Sequence, residues 1–169
     1  MTLELLMLME QERVQKVRRI QWLKEDKFYD EIALIAATIC DVPISAVSVV
    51  LDDRQYFKGK YGMSINETPI EQSICRHTLH HKVGEPLIIC DMLEDEKFKD
   101  TIIPVNDEQI RFYCGCPFVS LDGVNIGTVC AVDTVPRVLT DRQKESMVAL
   151  SQILRNYIRI QEVPILKGK

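Results

Sequence analysis

Residues 110–133 read IRFYCGCPFVSLDGVNIGTVCAVD. Two apolar arms joined by one Asp122-Gly123 turn signal are the signature of a β-hairpin. Along the first arm Phe112, Cys114, Cys116 and Phe118 share one face, and Arg111, Tyr113, Gly115 and Pro117 share the other, because strand side chains alternate with period two. The first face is uniformly apolar, so it covers a core or lines a cavity. The second arm, Asn125 to Asp133, is almost continuously apolar with small residues at Gly127, Thr128, Cys130 and Ala131, the pattern of a strand buried on both sides.

Outward from this hairpin, residues 91–109 carry acidic and basic side chains with scattered Ile, Phe and Pro. That composition suits a surface excursion with one or two helical turns, of the kind that forms lids and binding loops. Before it, Gly84-Glu85-Pro86 turns the chain into a strand over Leu87 to Cys90, and Glu71 to His81 reads as a helix bounded by Gly84. Met63 to Pro69 is loop-like. Ile44 to Leu51 is short and β-branched, and Asp52-Asp53 joins it to RQYFKGKYG at 54–62. There Gln55, Phe57, Gly59 and Tyr61 alternate with Tyr56, Lys58 and Lys60, a second hairpin.

A helix from about Lys27 to Cys40 places Phe28, Ile32, Ile35 and Ile39 on one face and stops ahead of Val42-Pro43. Leu3 to Leu23 contains neither Gly nor Pro and reads as one long helix. Val14, Val17, Ile20 and Leu23 form a stripe on it, and LLMLM at 5–9 is apolar all round, a face for its own domain or for a dimer seam. After the hairpin, Thr140-x-x-Gln143 is a capping box opening a final helix to about Gln161, with Met147, Leu150, Leu154 and Tyr157 at seam spacing and Val163-Pro164 as its stop.

This order predicts an α+β fold: a central antiparallel sheet of five or six strands, the N- and C-terminal helices side by side on one face, and the excursion over the other. The chain divides into a leading helix at 1–26, a domain at 27–161 that includes the C-terminal helix, and a tail at 162–169. With 169 residues, 46% of them hydrophobic, there is material for one substantial core. The net charge of -4, with basic and acidic residues interspersed, gives no clustered footprint for nucleic acid. No apolar run nears the roughly 20 residues that span a bilayer, and Glu4 and Glu10 stand where a secretory signal needs basic then apolar residues. The expectation is a cytoplasmic protein with no membrane partner. Its six cysteines fall in predicted helices and strands and read as reduced thiols, most of them packing as small apolar residues.

RQYFKGKYGM (54–63), ETPIEQSICRHTL (67–79), PLIICDMLEDEKF (86–98), IRFYCGCPF (110–118) and GVNIGTVCAVDTVPRVLTDRQ (123–143) together resemble a GAF domain of the bacterial type found with histidine kinases and diguanylate cyclases. The resemblance covers roughly Phe28 to Arg159. It implies a sensory module that binds a small molecule, or in some members none, between the sheet and the segment 63–109. It also implies a homodimer formed through the terminal helices and a signalling output domain or protein as partner.

The ligand-binding candidates are Phe57, Tyr61, Cys75, His77, Asp91, Arg111, Phe112, Cys114, Cys116, Cys130 and Asp133. If the face of Phe112, Cys114 and Cys116 looks into a cavity, two thiols and a ring suit a flat or apolar ligand; otherwise they fill space under a helix. Cys114 and Cys116 lie about 6–7 Å apart on an extended strand, too far for a disulfide. Cys75, His77, His80 and His81 match no standard zinc spacing, so no metal or other cofactor is assigned. A cysteine in the first turn of a helix is drawn toward ionisation, which singles out Cys75. Arg111 is suited to clamp a carboxylate or phosphate, or to pair with Asp91 or Asp133, and Lys58, Tyr61 and Glu71 rim the pocket.

Some stand-alone GAF proteins of similar length reduce free methionine sulfoxide with one nucleophilic and one resolving cysteine. Cys75 can be laid on one cysteine of that subfamily's motif, but position 65 is Ile and residues 91–113 contain no cysteine. Cys75-Arg76-His77 superficially invites bilin attachment, without the surrounding motifs, and none of the seven glycines forms a phosphate-cradling loop. The resemblance therefore favours a non-enzymatic, ligand-sensing, dimerising module, with a thiol- or metal-dependent enzyme as the alternative.

Overall fold

In the computed structural model, β7 (Phe112–Val119) and β8 (Asn125–Asp133) form the expected hairpin, paired antiparallel from Phe112 with Asp133 to Val119 with Asn125. Gly123 takes φ +83° in the connection, a conformation open to glycine at no steric cost. The structure describes residues 1–20, 27–82 and 84–167, the side chains of Ile20 and of residues 162–167 excepted. Strands β1 (Ile44–Val50), β2 (Arg54–Tyr61), β3 (Glu67–Pro69) and β4 (Leu87–Ile89) complete a six-stranded sheet of order β3-β2-β1-β8-β7-β4, antiparallel throughout. A second, two-stranded ribbon joins β5 (Pro104–Val105) to β6 (Glu108–Gln109). The helices are α1 (Leu3–Ile20), α2 (Lys27–Cys40), α3 (Cys75–Thr78) and α4 (Asp141–Lys167). This is the α+β architecture expected, with α2 and α4 on one sheet face and the excursion on the other.

Several local readings are corrected. The segment Glu71 to His81 is a 3-10 turn at Ile70–Gln72 followed by the four-residue α3, because Ser73 turns its hydroxyl into a buried network instead of continuing a helix. Met63 to Pro69 ends in the edge strand β3, where Pro69 is tolerated because an edge leaves one side of the strand unpaired. The excursion contains the β5–β6 ribbon, made possible by Asn106 and Asp107 at φ +48° and +65°, residue types that tolerate the left-handed region in two-residue turns. α4 continues through Pro164 to Lys167, since proline deletes one backbone hydrogen bond without forbidding the helical φ. The helix neighbouring α4 is α2 rather than α1, with Phe28 stacked on Tyr157 at 3.8 Å between centroids. The expected continuation of the first helix to Leu23, and Gly168-Lys169, lie outside the described residues.

Two apolar layers flank the sheet. On the helix face, Tyr29, Ile32, Ala36 and Cys40 of α2 and Met147, Leu150, Leu154 and Ile158 of α4 meet Phe112, Cys114, Cys116 and Phe118, with Val14 and Val17 of α1 joining the layer. On the other face, Met92, Phe98, Ile103, Val105 and Ile110 roof Ile44, Ala46, Tyr113, Cys130 and Val132. The Thr140–Gln143 capping box is present, with Gln143 N donating to Thr140 Oγ1 at 3.2 Å and Thr140 N to Gln143 Oε1 at 2.8 Å. Among the described residues no helix is long and apolar enough to cross a membrane.

A β-bulge decides which side chains face which layer. Val47 pairs with Gly59 while its neighbour Ser48 pairs with Phe57, so Lys58 is the extra residue on β2. The bulge reverses the alternation. Gln55 and Phe57 face away from the helices, whereas Gly59 lies directly beneath α2.

Candidate functional site

Between the roof and the sheet lies a cavity of about 60 Å³. It is lined by Ala46, Gln55, Phe57, Met63, Ile65, Cys75, Val105, Tyr113 and Cys130, among others. One water needs about 10–15 Å³ on such a measure, and drug-sized ligands occupy about 300–1,000 Å³. As it stands, the space suits a solute of a few heavy atoms, and a larger ligand requires the roof to lift.

Beneath the apolar lining sits a buried polar network. Ser73 Oγ donates to Gln55 Oε1 at 2.7 Å, Ser48 Oγ to the same oxygen at 3.1 Å, and Gln55 Nε2 to Thr68 Oγ1 at 2.7 Å. Next to it, Tyr113 Oη donates to Cys75 Sγ at 3.4 Å. That leaves Thr78 Oγ1, 2.8 Å from Tyr113 Oη, as donor to the phenol. The neighbouring Cys130 thiol, Thr128 hydroxyl, Tyr113 phenol and Ser48 hydroxyl draw the Cys75 thiol down to about 6, Cys130 contributing most and burial opposing. Ser48 shares its proton with Gln55 and contributes least of the four. The Thr128 hydroxyl is fully buried, without a well-aligned partner among the described residues, and lies beside the same sulfur. The Cys130 thiol and the Tyr113 phenol are pushed up in turn, Cys130 chiefly by Cys75 and Tyr113 chiefly by burial. The expected cause for Cys75, a helix N-terminus, gives way to side-chain donors, because α3 is only four residues long.

The structure brings together Phe57, Cys75 and Cys130 from the predicted set. It does not bring Phe112, Cys114 or Cys116 to them: these pack beneath α2 and α4, since period-two alternation puts them opposite Tyr113. The neighbouring Cys116 and Cys40 thiols, with burial adding to them, push the Cys114 thiol well up, leaving it inert. Tyr61 is half exposed beyond the bulge and outside the lining. His77 packs edge-on against Phe98 at 5.1 Å, and burial with nearby Lys97 holds it down at about 4, so it is neutral at physiological pH. Arg111 forks onto Asp91, Nε to Oδ1 at 2.7 Å and Nη2 to Oδ2 at 2.6 Å, which holds the Asp91 carboxyl below the usual range. Asp133 is buried and accepts from Arg137 Nε at 2.5 Å and Thr134 N at 2.6 Å. These two pairs pin the strand ends and the roof instead of facing the cavity. Among the described residues no three His, Cys, Asp or Glu side chains converge to hold a metal.

Sequence reasoning missed Tyr113, Gln55 and Thr128. A signal for Tyr113 was present in Gly115, two residues on and on the same face: a Cβ there would fall 2.1 Å from Tyr113 Oη and 2.6 Å from Cζ. The ring lies along the strand over Gly115, which is how its hydroxyl reaches Cys75. Gly115→Ala is expected to displace the ring, destabilise the fold by about 1–3 kcal/mol and weaken the Tyr113–Cys75 bond. Losing a hydrogen bond to a charged group should raise the pH midpoint of Cys75 alkylation by roughly one pH unit, measurable by peptide-resolved mass spectrometry.

No family model matches the chain. It is 30% identical over 113 residues to a cyclic di-GMP phosphodiesterase of Pseudomonas aeruginosa, a match that spans 66% of this chain and only 19% of that protein. Among solved structures it is similar to the GAF domain of an Acinetobacter phosphoenolpyruvate-protein phosphotransferase, with TM-score 0.66 and 12% identity over 96% of this chain and 97% of that one. A substrate complex of free methionine-R-sulfoxide reductase from Neisseria meningitidis is also similar, with TM-score 0.60 and 14% identity over 90% and 91% of the two chains. At such identities the likeness speaks for the fold, and it agrees with the strand order and helix placement: the chain is a GAF domain by fold.

Proposed function

We propose that this protein is a small-molecule-sensing regulatory module that dimerises through its terminal helices and controls a signalling output domain or protein. The observation that carries the reading is the cavity on the face opposite α2 and α4, apolar around its lining and underlain by Gln55, Thr128, Tyr113 and Cys75. Strands β7 and β8 are one residue thick, with Tyr113 and Cys130 toward the cavity and Cys114, Cys116 and Val129 against the helices. A ligand that shifts these strands therefore shifts the surface on which α4 sits, because packed interfaces transmit strain. Leu5, Leu6, Met7, Leu8 and Met9 of α1 are each about half exposed, an apolar face suited to a second copy. The resemblance to part of a cyclic di-GMP phosphodiesterase supports a regulatory place beside an output activity.

Native mass spectrometry of freshly purified protein is expected to show a dimer carrying a small-molecule mass. Ile65→Trp, which fills the cavity mouth, should lose that mass and remain folded. A ligand at a hundred times its dissociation constant stabilises by about 2.7 kcal/mol, so a deproteinised extract of the source cells should raise the wild-type melting temperature by several degrees. A ligand-free monomer indifferent to the extract would sink the reading.

A thiol enzyme is the second reading, favoured by the donor shell around Cys75. Consumption of free methionine sulfoxide with dithiothreitol by the wild type but not by Cys75→Ser would place it first.

A further inference from the structure

Of the six cysteines, only Cys75 and Cys130 line the cavity. Cys40, Cys114 and Cys116 pack on the helix face and Cys90 is exposed. Cys75 of α3 and Cys130 of β8 line the same cavity and pack in the same buried layer, and each thiol acts on the ionisation of the other. Two further donors converge there: Tyr113 Oη at 3.4 Å, and the Thr128 hydroxyl, fully buried and with no well-aligned partner among the described residues. A sulfur surrounded by donors is built to carry negative charge, and a thiolate is the nucleophilic form of cysteine.

We propose that Cys75 and Cys130 form a dithiol that hydroperoxides entering the cavity oxidise to a disulfide tying α3 to β8. The inference rests on the sensing reading only in that the cavity admits a small solute, and it adds the chemical class of that solute. Size favours it: about 60 Å³ accommodates hydrogen peroxide without movement of the roof. In the first step the Cys75 thiolate attacks one peroxide oxygen, the S–O bond forms and the O–O bond breaks, and the departing alkoxide or hydroxide takes up a proton. In the second step Cys130 sulfur attacks the Cys75 sulfenic acid, the S–S bond forms and the S–O bond breaks. The hydroxide that leaves takes the Cys130 proton as water. Two thiols and one hydroperoxide thus give one disulfide, one alcohol or water, and one further water, with two electrons passing from sulfur to oxygen.

The test is stoichiometric hydrogen peroxide added to the full chain, followed by intact mass and a non-reducing peptide map. The wild type should lose the mass of two hydrogens, yield the crosslinked peptide Cys75–Cys130, and regain its mass with dithiothreitol. Cys130→Ser should stop at one added oxygen on Cys75, trappable by dimedone, and Cys75→Ser should take up no oxidant at either cavity position. A wild type in which both cavity thiols stay reduced while Cys90 is oxidised, or in which Cys75 pairs with any cysteine other than Cys130, overturns the proposal. Because the map uses no ligand and no assembly readout, it can fail while the retained mass and dimer of the sensing experiment stand, and the reverse.

Discussion

Gly59→Ala is expected to lower the unfolding free energy by about 3 kcal/mol or more, at the upper end of what overpacking costs. A Cβ built on Gly59 falls 2.1 Å from the carbonyl oxygen of Tyr29, 2.2 Å from its carbonyl carbon and 2.7 Å from its Cβ. Two of these are backbone atoms of α2, which cannot rotate aside as a side-chain tip can. The helix would have to lift from β2, yet it is tied there by Lys60 N donating to Asp30 Oδ1 at 3.0 Å and by the Tyr29 ring packed edge-on against Tyr157 at 5.9 Å. Tyr29 is buried, so lifting α2 opens the helix-face core along its length. Urea unfolding should show the midpoint falling with an unchanged slope. Gly84→Ala is the reference: Gly84 sits at φ +84° with open space where a Cβ would stand, nothing lying within 4 Å, so it should cost only about 1–2 kcal/mol of backbone strain. Equal losses for the two variants would mean that α2 does not approach β2 as closely as described.

Gly59 also shows where the sequence was legible and where it was not. The hairpin, the sheet and the capped last helix followed from alternation, a turn dipeptide and a capping box, all of which are local. The side of the sheet on which each residue falls is not local when a strand is buried on both faces. Every residue of β7 is buried, so alternation sorts Phe112, Cys114, Cys116 and Phe118 from Tyr113, Gly115 and Pro117 without saying which set meets a helix. Lining a cavity and filling space under a helix both fit that alternation, and the fold takes the second for Phe112, Cys114 and Cys116, because a helix layer demands apolar surface at least as strongly as a pocket does. On β2 the bulge at Lys58 carries Gln55 and Phe57 to the cavity and Gly59 and Tyr61 away from it, and nothing in RQYFKGKYG announces the extra residue. Cys75 stands out in the sequence as a cysteine in the first turn of an expected helix. Its partners come from positions 48, 113, 128 and 130, a convergence that only the folded sheet creates.

Cys75 is expected to react with methyl methanethiosulfonate with a pH midpoint near 6, and the effect on both rate and stability is large. An ordinary thiol titrates near 9, so at pH 7 the folded site holds on the order of a hundredfold more thiolate than the unfolded chain. Between about pH 6 and 9 the unfolded chain carries a proton that the native site has released, and stability therefore rises with pH across this window. The contribution is fully present above about 9 and is lost as the pH falls through about 6. Cys130 and Tyr113, both pushed upward, stay protonated through the same window and do not cancel it. Urea midpoints of the wild type relative to Cys75→Ser should accordingly diverge from pH 6 to pH 9, while peptide-resolved labelling reports the ionisation directly. The two readouts separate access from charge. Labelling that is slow at every pH but keeps its midpoint near 6 would mean a closed roof over an ionised thiol, whereas a midpoint at 8 or above would mean that the donors from Cys130, Thr128 and Tyr113 do not converge on this sulfur, and the stability difference should then vanish with it.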